Sequence, residues 1–566
     1  MTTENNIVII GGTACGPKAA ARARRLKQHA RITLIEQGEY LSTATCGMPY
    51  YISGVIDKQD SMFGRKPDYF RNVLNLEVLT RTRATAINRE AHKLELLNLD
   101  TDRVSNISYD KLVLATGSTP TMPNFEGKDL QGIYTLSKIE DALTIRNLVS
   151  DKQKMKVTII GAGLIGLEMA EAFASIGFEV TVAEALDWSL PALLDFEIAA
   201  HVDKHIRSKG VDLKFGQKVL GFKGDSNGWV SKVVMQNSEI ETGLVLLAIG
   251  TRPNTGLAKD AGLTIGAAGG VSVNQYMQTS DPDIYAGGDC VENVNRITGE
   301  MFLAPLGSTA NKHGRVIGTN VTGGSDTFPG VVGTAIAKVF DYNVARVGLG
   351  EAQAQKAGYE LVTCLIPENE HAGYYPNAKQ LILKLVVDKS NNRILGGQAV
   401  GQGNTAKRID VLATAISFGA SVDDIANLDL AYAPPYNSAM DPLHNAANVI
   451  RNKQSGFGRA ITPMQVKSKL DNGEDFVLLD VRRKEEWDEY RIDLPQVKLL
   501  PTGELRKKLD TLQKGKETIL YCKVGVRAYQ SQLVLDDAGF ERVKYMDGSI
   551  DAWPYDVLRM KPDSDE

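Results

Sequence analysis

Short runs of apolar residues recur along the first half of the chain, and each is followed by glycines and then by a helix-prone stretch. Ile7–Ile10 leads into Gly11–Gly16, and Val157–Ile160 leads into Gly161–Gly166 in the same way. Uninterrupted β-branched runs are typical of strands that lie buried in a parallel sheet. The pattern therefore predicts an α/β fold that contains the same strand, turn and helix unit twice.

Each unit closes with a second apolar strand that ends in an acid, Glu36 in the first unit and Glu184 in the second. This order is typical of a dinucleotide-binding unit, in which helix amides face a pyrophosphate and the acid binds a ribose hydroxyl. Thr13 replaces the middle glycine of the first fingerprint, whereas the second is complete. No arginine follows Glu184 directly, which favours NAD(H) over NADP(H). The expected contacts are Gly11, Gly12, Ala14, Gly16, Glu36, Gly161, Gly163, Gly166 and Glu184.

Further apolar strands, beginning at Lys111 and Leu244, end in small-residue turns and predict the return of the chain to each sheet. Ile284–Ala286 precedes a Gly-Gly-Asp sequence that is either an ordinary turn or a cofactor contact. The turn residues expected at the dinucleotide sites are Ala115, Thr116, Gly117, Gly250, Gly288 and Asp289.

The pattern changes from about Thr327 onward. Apolar strands such as Leu381–Val387 and Ile394–Val400, with a helix from Thr405 to Phe418, predict an antiparallel sheet. The polar, glycine-bearing stretch Arg451–Gly458 is typical of a linker. A further α/β unit is expected after it.

In this last unit Cys522 directly follows the predicted strand Thr518–Tyr521, and a helix is expected after Gly525. Successive backbone amides at such a strand-to-helix turn can converge on one anionic sulfur. The sequence therefore predicts a loop that can stabilise a negatively charged sulfur at Cys522.

Length and charge narrow the functions that the chain can have. The 566 residues are too many for one core and indicate several domains. A net charge of −4 argues against a nucleic-acid partner, and no apolar run is long enough to cross a membrane. The polar start Met1–Asn6 does not resemble a signal peptide, so a cytoplasmic location is expected.

Five dispersed cysteines, without the close pairs that zinc sites need, fit a reducing compartment and predict no metal site. Cys46 stands just after the first dinucleotide unit and is either a redox thiol or a small buried residue. A helix starting near it would stabilise the thiolate. Cys15, at a helix start, has either a lowered pKa or a space-filling role, and Cys290 and Cys364 are expected to be structural.

The two dinucleotide units, their returning strands and the Gly-Asp turn resemble the flavoprotein disulfide reductases. The resemblance implies FAD in the first unit, NAD(H) in the second, and a contact from Asp289 to the ribityl chain of the flavin. It also implies a dimerisation domain and a homodimer. The expected bounds are 1–120 and 251–325 for the FAD domain, 121–250 for the NAD(H) domain, 326–450 for the dimerisation domain, 451–460 for the linker and 461–566 for the last domain.

Glutathione-type members of that group carry a second cysteine five positions after the first, but this chain has Tyr51 there. A single thiol must act through a mixed disulfide, a persulfide or a sulfenic acid. The segments 38–40, 49–54, 371–376 and 431–436 resemble the coenzyme A-disulfide reductases. The segments 480–482, 522–527 and 546–553 resemble the rhodanese domain that is fused to some of them.

This closer resemblance implies an NADH-dependent reductase of persulfides, polysulfides or coenzyme A disulfide, in which Cys46 is the nucleophile. Tyr374 and Tyr432 of the other subunit would lie near that thiol, unless they only pack at the dimer interface. Arg22, Arg25 and Ser42 would hold coenzyme A phosphates, although a basic helical face is commonly just solvated. Cys522 would carry sulfane sulfur, and Arg527 would stabilise its charge.

Two other functions stay open from the sequence. Cys46 could cycle as a sulfenic acid, which would make the protein an NADH oxidase or peroxidase. The last domain could also be a sulfur sensor whose Cys522 does not turn over.

Overall fold

The computed structural model describes residues 6–151 and 155–560, and it divides the chain into two compact units. The first unit contains residues 6–151, 155–185 and 210–331, and the second contains residues 186–209 and 332–560. Nearly all of the polar start, and the expected domain ends at residues 1 and 566, lie outside the described residues.

The first unit contains two five-stranded parallel sheets in which four strands follow the same order, whereas the remaining edge strand comes last along the chain in one sheet and first in the other. One sheet runs Ile284–Ala286, Lys111–Leu114, Asn6–Ile10, Arg31–Ile35 and Glu77–Leu79. The other runs Ile133–Thr135, Leu244–Leu247, Lys156–Ile160, Glu179–Ala183 and Asp212–Lys214. The predicted duplication of the α/β unit is confirmed.

A three-stranded antiparallel sheet accompanies each parallel sheet. The first consists of Thr82–Asn88, Lys93–Asn98 and Val104–Ser108, and the second of Val219–Gly224, Val230–Met235 and Glu239–Glu241. The helices of this unit are Cys15–Leu26, Met48–Ile52, Ile139–Asp151, Leu164–Ser175, Gly256–Asp260 and Gly307–Asn320. Two short antiparallel pairs, Ser118–Pro120 with Thr251–Pro253 and Glu292–Val294 with Met301–Leu303, complete it.

Two glycines fix how helices pack over the first sheet. A Cβ at Gly314 would lie 2.4 Å from the carbonyl oxygen of Cys15, and one at Gly318 would lie 2.5 Å from that of Ala19. Only glycine permits helices to approach this closely. The helix Gly307–Asn320 therefore packs directly against the helix that follows the first fingerprint.

An antiparallel sheet of five strands forms the first part of the second unit. Its order is Ala335–Val339, Tyr342–Gly348, Ile394–Gly401, Gln380–Asp388 and Leu361–Asn369. The associated helices are Phe196–Ser208, Glu351–Lys356, Thr405–Ser417, Val422–Ala426 and Pro442–Gln454. The predicted antiparallel strands and the helix from Thr405 are confirmed, and residues 451–454 of the expected linker continue the last of these helices.

The remainder of the second unit is a parallel sheet in the order Ala460–Ile461, Val543–Met546, Glu517–Tyr521, Phe476–Asp480 and Val497–Leu499. Its helices are Pro463–Asp471, Lys484–Glu489, Thr502–Leu505 and Val526–Asp537, and Tyr490–Arg491 pairs with Leu558–Arg559. The strand Glu517–Tyr521 is fully buried and ends directly before Cys522. Among the residues that the structure describes, no helix is long and apolar enough to span a bilayer.

Candidate functional site

The two glycine fingerprints fold alike because the same backbone contacts recur in both. Gly11 and Gly161 have φ angles of 109° and 104°, which residues other than glycine rarely adopt. A Cβ at Gly16 would lie 1.9 Å from the carbonyl oxygen of Gly11, and one at Gly166 would lie 2.0 Å from that of Gly161. Each helix therefore starts tightly against its strand, with free amides at its N-terminus.

A glutamate closes each loop through the same hydrogen bond. The amide of Gly12 donates to Oε2 of Glu36 at 2.7 Å, and the amide of Ala162 donates to Oε2 of Glu184 at 2.9 Å. Gly38 also donates to Oε1 of Glu36 at 2.7 Å. Each carboxylate oxygen has acceptor capacity left for a ribose hydroxyl.

The space next to these loops fits a dinucleotide. A Cβ at Gly163 would meet no atom within 4 Å, so the position that approaches a pyrophosphate in such folds is open. Thr13, its counterpart in the first loop, is exposed. Both loops therefore leave space on this side for the phosphates of a dinucleotide.

The crossover turns come together beside the first loop. Thr116 Oγ1 donates to the carbonyl of Asn254 at 2.7 Å, and Asn254 Nδ2 donates to the carbonyl of Thr116 at 2.9 Å. Ser118 Oγ donates to Asp289 at 3.2 Å, and burial raises the pKa of Asp289. Sequence reasoning missed Asn254, whose role depends on a contact across 138 residues of chain.

Gly288 is held by a hydrogen bond to a buried histidine. Its amide donates to Nδ1 of His313 at 3.1 Å, and Gly288 has a φ of 82°. Burial lowers the pKa of His313 to about 4, so the ring is neutral and accepts this hydrogen bond. His313 therefore fixes the Gly-Gly-Asp turn, in which the carboxyl group of Asp289 lies next to Ser118.

Cys46 is the only exposed thiol of the five cysteines, all of which lie within the described residues. It occupies a 3₁₀ turn, Thr45–Gly47, which runs into a helix of only five residues, Met48–Ile52. The Gly47 amide donates to the carbonyl of Ala44 at 2.8 Å. An exposed thiol on a tight turn is accessible to a substrate.

Tyr51 fills the place that a second redox cysteine would need. Its side chain is buried, and the guanidinium carbon of Arg146 lies 4.8 Å from the centre of its ring. Arg146 also donates to the carbonyl of Tyr51. Cys46 therefore has no partner thiol in its own turn.

Burial makes three of the other cysteines poor nucleophiles. It raises the pKa of Cys15 well above its usual range, with Cys290 and Asp289 adding to the effect. Burial likewise raises the pKa of Cys290, and it raises that of Cys364 to about 12. Cys15 is thus a space-filling residue of the core, and the alternative of a lowered pKa is wrong.

Glu168 is an ionisable neighbour of this region that sequence reasoning missed. It lies on the helix Leu164–Ser175, and burial raises its pKa to about 7, with a contribution from Glu171. Burial also raises the pKa of Tyr50, and charges on Glu168, Glu171 and Cys46 act in the same direction. The pKa of the Tyr50 phenol therefore depends on the charges of both Glu168 and Cys46.

We expect Glu168→Gln to lower the pKa of the Tyr50 phenol, because the charge of Glu168 is one of the causes that raise it. Burial raises the pKa of Glu168 to about 7, so its carboxyl group is ionised in the alkaline range in which the phenol titrates. The measurement is the ultraviolet absorbance of tyrosinate in an alkaline titration, taken as the difference between the variant and the wild type. Glu179→Gln, an exposed acid of the same domain, is the control, and superimposable titrations of the wild type and Glu168→Gln would refute the expectation.

The residues expected to bind coenzyme A phosphates lie around the first fingerprint helix. Arg22 Nε donates to Thr319 Oγ1 at 3.1 Å, and Arg25 is exposed. Ser42 has a φ of 51°, and its amide donates to the carbonyl of Gly12 at 2.7 Å. Arg24 differs, because it is buried and donates to backbone carbonyls such as that of Leu74.

Two tyrosines of the antiparallel domain are exposed together. Tyr374 and Tyr432 have exposed fractions of 77% and 51%, and their hydroxyl oxygens lie 3.5 Å apart. This hydrogen bond raises the pKa of Tyr374. The pair presents two phenols on the surface of this unit.

Cys522 lies at the base of the loop predicted from the sequence. The Gly525 amide donates to its Sγ at 3.1 Å, and its own amide donates to Ser549 Oγ at 3.0 Å. Gly525 has a φ of 119° and begins the helix Val526–Asp537. The loop therefore directs an amide at the sulfur, which favours a negative charge there.

Arg527 is fixed by an acid that sequence reasoning missed. Both of its terminal nitrogens donate to Glu486 at 2.7 Å, and this ion pair lowers the pKa of Glu486 to about 2. The charge of Cys522 also raises the pKa of Arg527, to a smaller extent than Glu486 does. A cavity of about 560 Å³ opens beside Arg527, and Arg483, Thr502 and Glu504 also line it.

Comparisons with known proteins identify the domains of the chain. The family model described as pyridine nucleotide-disulphide oxidoreductase matches residues 5–308, its dimerisation domain matches residues 334–444, and a rhodanese-like domain matches residues 462–555. The NAD(P)H sulfur oxidoreductase (CoA-dependent) of Pyrococcus furiosus is 36% identical over 448 residues, which are 79% of this chain and 99% of that protein.

Two solved structures resemble nearly the whole chain. A NAD-dependent persulfide reductase from A. fulgidus is 42% identical with a TM-score of 0.92, and the match covers 97% of this chain and 100% of that one. The reduced CoADR-RHD of Bacillus anthracis is 35% identical with a TM-score of 0.92, and the match covers 97% and 98% of the two chains. The chain is therefore a member of the pyridine nucleotide-disulphide oxidoreductase family that carries a dimerisation domain and a C-terminal rhodanese-like domain.

Proposed function

We propose that the protein is an NADH-dependent FAD flavoprotein that reduces the S–S bonds of persulfides, polysulfides or coenzyme A disulfide. Cys46 acts as the nucleophile, and Cys522 carries sulfane sulfur. The observation that carries the proposal is the exposed, unpartnered thiol of Cys46 in a chain with two dinucleotide loops. The persulfide reductase and the sulfur oxidoreductase similar to this chain support it.

The loop at Gly11–Gly16 with Glu36 would hold FAD, and the loop at Gly161–Gly166 with Glu184 would hold NADH. Bound FAD supplies two-electron transfer between NADH and sulfur, which no side chain can perform. The chain contributes the helix amides, the ribose acceptors and Asp289, which orient the two cofactors.

Cys46 performs the sulfur step. Its thiolate attacks the sulfane sulfur of a persulfide RS–SH, so a bond from Sγ to that sulfur forms, the RS–S bond breaks, and RS⁻ leaves and takes a proton. Cleavage of the new S–S bond and release of hydrosulfide would then require two electrons, which NADH would supply when both cofactors are bound. The balance is NADH, RS–SH and a proton giving NAD⁺, RSH and H₂S.

A homodimer and coenzyme A belong to the same proposal. Tyr374 and Tyr432 of a second copy lie near Cys46 and supply the proton to the leaving thiolate, since a phenol can act as a general acid. Arg22, Arg25 and Ser42 bind coenzyme A phosphates when the substrate carries them. The protein works in the cytoplasm on small sulfur compounds.

Rhodanese chemistry supplies the sulfur. Cys522 accepts a sulfane sulfur as a persulfide, and the amide of Gly525 and the guanidinium of Arg527 stabilise its charge. The charges that line the neighbouring cavity are balanced, since Arg483 and Arg527 face Glu486 and Glu504, and the cavity is close to neutral. Persulfides of small thiols of low charge are thus its favoured sulfur donors.

The exposure of Cys46 also favours a second candidate, an NADH oxidase or peroxidase that cycles a sulfenic acid. Rapid mixing distinguishes the two. Enzyme reduced with one equivalent of NADH is mixed without oxygen with glutathione persulfide, and separately with hydrogen peroxide or dissolved oxygen. We expect rapid return of the oxidised flavin absorbance with persulfide and one H₂S per NADH, whereas reoxidation by peroxide or oxygen alone would establish the second function.

A further inference from the structure

The loop of Cys522 rests on a second segment of the same domain. Ser549 Oγ accepts the amide of Cys522 at 3.0 Å and lies 3.7 Å from its Sγ. The amides of Ile550 and Asp551 donate to the carbonyls of Cys522 and Lys523 at 3.2 and 3.0 Å. The position of the sulfur therefore depends on where residues 549–551 are held.

Ser549 is held in a strained conformation. Its φ and ψ angles are 54° and −146°, a region of backbone space close to one that is populated almost only by glycine. Such strain persists only where surrounding contacts enforce it, and it is concentrated at functional sites. The preceding Gly548 is also constrained, because a Cβ there would lie 2.4 Å from that of Ala552 and 2.9 Å from the carbonyl oxygen of Leu365.

Besides contacts within the rhodanese-like domain, this segment is held by a contact from outside it. Asp547 is buried, and its Oδ2 accepts from the amide of Leu365 at 3.2 Å and from Lys453 Nζ at 2.6 Å. Lys453 also donates to the carbonyl of Thr363 at 2.6 Å. Leu365 and Thr363 lie on the edge strand Leu361–Asn369 of the dimerisation domain, and Lys453 lies in the last turn of the helix Pro442–Gln454.

A buried carboxylate without its cationic partner is strongly unfavourable, so the ion pair ties Asp547 to this place. Burial raises the pKa of Asp547, and the charge of Lys453 opposes that effect. Asp547, Gly548 and Ser549 are consecutive, so a shift of the first residue moves the last.

We propose that Lys453 and Asp547 are positioning residues for sulfur transfer, because their ion pair across the domain boundary keeps the strained Ser549 hydroxyl on Cys522. This inference rests on the proposed role of Cys522 as a sulfur carrier. In that step the thiolate of Cys522 attacks RS–SH, the bond from Sγ to the outer sulfur forms, the RS–S bond breaks, and RS⁻ leaves and is protonated. The Ser549 hydroxyl orients the attacking thiolate, so the rate of transfer depends on Lys453, a residue outside the rhodanese-like domain.

The test measures transfer of one sulfur from glutathione persulfide to Cys522 in the full-length holoenzyme. The mass of the Cys522 peptide is followed over time at several persulfide concentrations. Lys453→Met is expected to lower the maximal rate at least tenfold while the half-saturating concentration stays within twofold. Ser549→Ala is expected to lower the maximal rate similarly. The double variant Lys453→Met/Ser549→Ala is expected to be no slower than the slower of the two single variants, because both changes remove the same interaction.

Three further variants separate positioning from general damage. Lys453→Arg keeps the charge and is expected to recover at least half of the wild-type rate. Arg451→Met is the matched control on the same helical turn, since Arg451 pairs with Asp423 at 3.0 Å on the exposed side, and it is expected to transfer at the wild-type rate. If Lys453→Met loses its flavin, Asp547→Asn is used in its place, because it removes the charge and preserves the shape of the Asp547 side chain.

Wild-type transfer rates in Lys453→Met and Asp547→Asn would overturn the inference, as would losses that multiply in the double variant with Ser549→Ala. These results differ from a failure of the proposed function. If Cys522 of the wild type gains no sulfur at all, the sulfur-carrier role fails and the inference falls with it.

Discussion

Replacement of Cys46 by serine is expected to abolish persulfide reduction, with a loss on the order of 10⁴-fold, since removing a catalytic nucleophile typically costs this much or more. Serine fills nearly the same volume, but its hydroxyl is not ionised near neutral pH and does not attack sulfur. Cys46 is exposed, so the change leaves the core intact. The measurement is NADH-dependent H₂S release from glutathione persulfide without oxygen.

The variant is expected to keep its flavin and to be reduced by NADH at the wild-type rate, because neither fingerprint loop includes Cys46. Cys364→Ala is the matched control, as it removes a buried thiol whose Sγ donates to the carbonyl of Ala446 at 3.4 Å. It is expected to retain activity. Unchanged H₂S release by Cys46→Ser would disprove the assignment of the nucleophile.

The second large effect is expected at the two tight fingerprint glycines. Gly16→Ala should yield protein without FAD, because the new methyl would lie 1.9 Å from the carbonyl oxygen of Gly11 and displace the loop. Gly166→Ala, with a corresponding distance of 2.0 Å to Gly161, should retain FAD and lose at least 100-fold in flavin reduction by NADH. This estimate of about 100-fold corresponds to roughly 3 kcal/mol of lost binding or positioning.

The visible spectrum reports bound FAD, and stopped-flow absorbance reports its reduction by NADH. Gly256→Ala is the control in the same unit, since a Cβ there would meet no atom within 4 Å. Loss of FAD from Gly166→Ala and not from Gly16→Ala would reverse the assignment of the two sites.

The duplicated α/β fold was predictable because its signals are local. A buried strand, a glycine turn and a terminal acid lie within about thirty residues of each other, as the βαβ unit requires. Glu36 and Glu184 illustrate this, since each accepts an amide from its own loop. The same locality made the loop between Cys522 and Arg527 recognisable.

Contacts between distant segments were not predictable in this way. Glu486 meets Arg527 across 41 residues, and Ser549 meets Cys522 across 27. The raised pKa of Glu168 depends on burial, which the sequence of its helix does not reveal. Lys453 lies in a stretch whose polarity predicted a linker, yet the helix continues to Gln454 and Gly456 follows it.

The side chain of Tyr51, packed under Arg146, limits how many electrons the protein itself can store. An enzyme with two neighbouring cysteines holds an electron pair as a dithiol and can exchange it with the thiol pool of the cell. Here the protein has no such reservoir beside Cys46. In the cycle that we propose, each pair of electrons is therefore used on the sulfur that Cys46 has bound, and the resting state follows the supply of that sulfur more than the redox potential of the surroundings.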